Sequence, residues 1–68
     1  MTDRRVWAAQ TMTILDGMTP EHRSVLRALY FDHQSVSEFA ARIREPERRV
    51  ARRAAVAVQL LAAALLAA

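Results

Sequence analysis

Gly17, Pro20 and Pro46 are the only glycine and prolines in a chain of 68 residues, so few positions can interrupt a helix. Both residue types disfavour helix interiors, proline through its missing amide and ring clash, glycine through backbone entropy. Residues 4–16 contain no such breaker and carry Val6, Trp7, Ile14 and Leu15, which predicts a first helix stopping at Gly17. Thr19-Pro20-Glu21 then supplies an N-cap, a proline suited to the first helical position and an acid for the first turn. Val25, Leu26, Leu29 and Tyr30 follow as one apolar stripe at helical spacing. After the polar turn Asp32-His33-Gln34, the run Ser35-Val36-Ser37-Glu38 has the spacing of a capping box. The short helix behind it is expected to bury Phe39, Ala40 and Ile43. A further break falls at Arg44-Glu45-Pro46, with Pro46 expected in the first turn of a last helix about twenty residues long. Strand-like alternation and repeats are absent. The expected fold is all-α, a single domain over 1–68 with four helices.

Size and composition narrow the function. A domain this small buries only about 60% of its unfolded surface, leaving little room for a pocket. There is no cysteine for a disulfide or thiolate site, and the two histidines, His22 and His33, have no second ligand at metal spacing. They read as surface residues, and Ser35 reads as a cap because no base is placed to activate it as a nucleophile. Neither an enzyme, a metal site nor a cofactor is expected. Trp7 reads as a core anchor, and Met12 and Met18 as core fillers.

Charge is concentrated. All ten basic residues are arginine, and six of them (Arg42, Arg44, Arg48, Arg49, Arg52 and Arg53) face only Glu45 and Glu47 in the same stretch. Six less two leaves +4 there, in a chain whose total is +3. Such a local basic patch is the footprint of a nucleic-acid surface, and its competing reading is a solvated arginine-rich face with ion pairs to Glu45 and Glu47.

No apolar run follows the first charged residues, so no signal peptide is expected and the protein reads as cytoplasmic. In residues 54–68 only Gln59 is polar, but a membrane span needs roughly 20 mostly apolar residues and eight of these fifteen are alanine. The stretch reads as a buried or partner-bound helix end, with no membrane partner. Its core stripe would be Val50, Ala54, Ala57, Leu61 and Leu65. That leaves Val56, Val58, Leu60 and Leu66 off the stripe, as a surface for a partner or a second copy, or else wrapped by the rest of the fold.

A short capped helix, a tight turn and a second helix opening with arginines match a helix-turn-helix over about 36–58. The stretch from Leu15 to Leu65 resembles region 4 of bacterial sigma factors, closest to the extracytoplasmic-function group. The resemblance is carried by Met18-Thr19-Pro20 with Arg23, by Val25-Leu26 and Leu29-Tyr30, by Ser35-Val36-Ser37-Glu38-Phe39-Ala40, and by Glu47, Val50 and Arg53. It departs at Arg44, where the family usually has glycine, at Glu45 for an apolar residue, and at Arg48-Arg49 for Gly-Thr. Beyond Arg53 the family's usual cations give way to apolar residues.

The resemblance implies binding to the minus-35 promoter element, contact with the β flap of RNA polymerase, and masking by an anti-sigma factor. Region 2 of such a factor would need more than 68 residues, so the chain reads as a domain of a longer protein or a stand-alone remnant. Arg48, Arg49 and Arg52 fall in the first two turns of the recognition helix, where side chains reach base edges. With Arg53 beside them, and Arg42 and Arg44 as phosphate contacts or plain surface, these six are the candidate DNA-binding residues. The alternative function is a helical dimerisation or protein-interaction module on the same scaffold, with weak or lost DNA binding. Finally, Leu66-Ala67-Ala68 matches the end of the tag that marks stalled bacterial products for the Clp protease. Ala67 and Ala68 are therefore a candidate degron, against the plain reading of an alanine-rich helix end.

Overall fold

The computed structural model describes residues 4–67, except the side chains of Arg4 and Trp7, so the core-anchor role expected of Trp7 lies outside the described residues, as does Ala68. Among the described residues there are four α-helices and no strand: α1 (Arg4–Asp16), α2 (Pro20–Leu26), α3 (Val36–Ile43) and α4 (Glu47–Ala67). A π-helical turn, Arg27–Phe31, continues α2. All the other helices pack on α4, which serves as the spine.

The starts follow local chemistry. Pro20 opens α2 behind an extended Thr19, whose hydroxyl lies 3.1 Å from His22 Nδ1 instead of bonding a backbone amide. At α3 the capping box is complete: the Glu38 amide donates to Ser35 Oγ at 3.0 Å, and the Ser35 amide donates to Glu38 Oε1 at 2.9 Å. The bond from the Ser35 backbone, joined by its side chain, holds the Glu38 carboxyl below its usual pKa. Pro46 sits one position earlier than expected. It stands just before α4, and its carbonyl accepts from the Arg49 and Val50 amides at 3.0 and 3.2 Å.

The core is Leu15, Val25, Leu26, Ala28, Phe39, Ala40, Val50, Ala54 and Ala57, with Met18, Leu29, Val36, Ile43 and Leu61 packed against its edge. Four alanines let the helices approach closely around four large aliphatic residues and one phenylalanine. Three parts of the expected core are not in it, the first being Leu65, the end of the expected α4 stripe, which is half-buried at the edge of a groove with Tyr30 and Val58. Tyr30 is 58% exposed because the π turn bonds residues five apart, the Asp32 amide to the Arg27 carbonyl at 2.9 Å, which rotates the chain off the 3.6-residue stripe. Val6 and Met12 are also exposed; among the described residues Leu15 is the one that α1 buries in the core. The extents of 40 × 19 × 17 Å follow from α4, whose 21 residues make a rod about 31 Å long at about 1.5 Å per residue.

Among the described residues, left-handed backbone falls on two, neither of them glycine. His33 (φ 54°) closes the π turn, where the Gln34 amide reaches back to the Ala28 carbonyl at 2.9 Å. Arg44 (φ 59°, ψ 44°) ends α3, with its own amide on Ala41 O at 3.3 Å and the Glu45 amide on Ala40 O at 3.0 Å. This pair of bonds is a Schellman motif, which normally places glycine at the left-handed position. A side chain there costs about 1–2 kcal/mol of backbone energy. Arg44→Gly is therefore expected to raise the melting temperature by several degrees in a circular dichroism melt. A fall would show that the arginine side chain contributes more than its backbone strain costs.

Candidate nucleic-acid interface

The connection between α3 and α4 is built from three successive residues. Arg44 turns the chain, Glu45 ties the turn to α3 through Ala40, and Pro46 caps α4. Burial of Val50, Ala54 and Ala57 then fixes which way α4 faces. At about 100° per residue, Arg48 and Arg52 point away from that buried stripe and Arg49 lies on one flank. All three are exposed, and with Pro46 they line a shallow depression of about 330 Å³. Among the described residues no carboxylate pairs with any of them: the ion pairs Arg27–Asp16, at 3.8 Å, and Arg53–Glu45, at 2.8 Å, lie elsewhere. Three cations of one sign therefore stand together without neutralisation, next to the partly positive start of a long helix.

The other three candidate arginines occupy different surroundings. Arg42 is exposed on α3, with its guanidinium carbon 5.2 Å from the centre of the Phe39 ring. Arg44 is exposed on the turn. Arg53 does not join the open surface: its side chain is only 17% exposed and is held by Glu45. Proximity along the chain is what groups it with its neighbours in the sequence. Glu45 and Arg53 are eight residues apart across a helix start, outside the three- and four-residue spacings that reveal helical ion pairs.

The four off-stripe apolar residues of α4 are all exposed, but they do not form one patch. Val58 edges a groove of about 240 Å³ with Tyr30, Leu61, Ala62 and Leu65. Leu60 and Ala64 edge another of about 530 Å³, against Ile14, Gly17, Met18 and His22. By helical rotation Val56 points between the arginine face and the Leu60 flank, and Leu66, 88% exposed, lies in line with Arg48. Ala67 is exposed. By length and composition α4 is apolar enough to cross a membrane, with a mean hydropathy of 1.6 over its most apolar 18 residues. In this fold the same helix supplies Val50, Ala54 and Ala57 to the shared core. The exposed aromatics Tyr30 and Phe31 are not legible as surface in the sequence, because the π turn that turns them outward has no residue signature.

No protein-family model matches the chain, and neither the curated proteins nor the solved structures contain a significant match.

Proposed function

We propose that the domain binds promoter DNA as a region 4-like module of a bacterial sigma factor, with α3 and α4 acting as its helix-turn-helix. The observation that carries this reading is the unpaired trio Arg48, Arg49 and Arg52 on the outer face of the first two turns of α4. Arginine pairs its two donors with the O6 and N7 acceptors of guanine, and a helix start entering the major groove brings such side chains to base edges. Three arginines on adjacent turns cannot all read bases, so part of the set holds phosphates and fixes the register. Arg42 and Arg44, exposed on α3 and the turn, are suited to flanking phosphates. RNA polymerase or an anti-sigma factor would engage the apolar surfaces away from the arginines, in the cytoplasm.

Chemical-shift mapping with a library of minus-35-like duplexes tests the assignment. Backbone changes are expected to concentrate at residues 44–52. Changes confined to the later turns of α4, or none, would contradict it.

A second reading, a protein-interaction or dimerisation module, is favoured by the exposure of Val56, Val58, Leu60 and Leu66. Charged residues at both Val56 and Leu60 are expected to leave helicity unchanged, since both side chains already meet solvent. Sedimentation of this variant decides the reading: self-association that the double change abolishes supports a second copy on this face, and an unchanged monomer removes that support.

A further inference from the structure

From the Glu45–Arg53 contact we infer that these two residues form a latch that sets the angle of α4 against α3, making Arg53 a positioning residue and not a DNA contact; for its DNA arm this rests on the reading above. The ion pair is close, at 2.8 Å, and both side chains are mostly out of solvent, 17% and 30% exposed. The contrast with Arg27–Asp16 is informative. That pair is 3.8 Å apart with side chains 49% and 66% exposed, the kind of surface contact that contributes little.

Glu45 is anchored from two directions. Its amide donates to Ala40 O of α3 at 3.0 Å, and its carboxylate reaches the second turn of α4. Together with the Pro46 carbonyl at the start of α4, this holds the helix at two points along its length. The Glu45 Oε2 atom is buried and receives no aligned N–H, so its compensation is the charge of Arg53 and not a directed hydrogen bond. Removing Arg53 strands a half-buried carboxylate whose Oε2 is out of solvent, and removing Glu45 strands a mostly buried guanidinium. Removing both strands neither.

The latch also bears on the electrostatics of the proposed interface. A bare carboxylate at Glu45 would repel phosphate beside the arginine trio, and Arg53 cancels it. If Arg53 instead contacted phosphate, Glu45 would be the free charge and its loss should tighten DNA binding. The two roles differ in what Arg53→Met does to the salt slope of binding: a lost phosphate contact lowers it by about one, and a lost latch does not.

The test has two arms. Without DNA, thermal melts of Glu45→Gln, Arg53→Met and the double variant form a cycle. Each single change is expected to lower the melting temperature by several degrees, and the double by clearly less than the two combined. Additive losses would overturn the latch. Arg53→Lys, which keeps the charge but not the planar fork, replaces Arg53→Met if that variant does not fold, and the same coupling is expected with smaller amplitude. In the second arm, titration with duplex DNA across salt concentrations is expected to show several-fold weaker binding for Arg53→Met at an unchanged salt slope. A slope reduced by about one in Arg53→Met would make Arg53 a phosphate contact and overturn the proposal. If the parent domain binds no duplex, the DNA reading falls and the coupling in the first arm alone decides the latch.

Discussion

Val50→Asp is expected to abolish the folded state at room temperature. Val50 is fully buried where α4 meets the rest of the core, and that core contains no polar or charged side chain among the described residues. A carboxylate there finds no donor and no cation, and an unpaired buried charge costs several kcal/mol even after the protein relaxes. A chain of this length has a total stability of about 3–10 kcal/mol, so the substitution removes most or all of it. Leu26→Ala calibrates the claim, because truncating a fully buried leucine costs about 2–5 kcal/mol and should leave a domain that melts far earlier. Leu66→Lys is the control: a residue so exposed, given a cation that suits the last turn of a helix, should change stability by less than about 0.5 kcal/mol. Far-ultraviolet circular dichroism at 25 °C reads all three. A folded Val50→Asp with an unchanged melting temperature would show that α4 does not pack on the face described.

That face is legible in the residues themselves, because helical periodicity alone puts Val50, Ala54 and Ala57 on one stripe. The helix starts at Pro20 and after Ser35 are legible for a related reason: caps depend on three or four neighbouring residues whose chemistry is local. Of the two left-handed turns, the one at Arg44 is signalled only through the resemblance, which has glycine at that position, and the one at His33 is not signalled at all. Glycine usually marks such positions, and here the chain places its one glycine at Gly17, where φ is not positive, and bends at His33 and Arg44 instead. The π turn is equally silent, and Tyr30 leaves the expected stripe because of it. Among the candidate site residues, spacing on α4 separates Arg48 and Arg52 from the core stripe. It does not reveal that Arg53 turns to Glu45, since that pairing depends on how the turn folds back. Nor does it show that Val58 and Leu60 edge two different grooves.

The other large effect is expected at the arginine trio. Each bidentate arginine–guanine contact is worth roughly 1–3 kcal/mol of discrimination, and each phosphate contact changes the salt slope of binding by about 0.9. Arg48→Ala and Arg52→Ala are therefore each expected to weaken duplex binding by at least several-fold, with base preference lost at the position of whichever residue reads guanine. The variant lacking all three side chains should keep its helicity and melting temperature, because the three are exposed and unpaired. Its binding should fall to the level supported by Arg42 and Arg44 alone. The most direct measurement is the affinity of the parent domain and of the Arg48→Ala/Arg49→Ala/Arg52→Ala variant for minus-35-like duplexes, taken from low to physiological salt. The parent's affinity is expected to fall steeply with salt, and the variant to bind far more weakly with a clearly shallower slope. Equal affinities and equal slopes for the two proteins would contradict a DNA-reading role for α4.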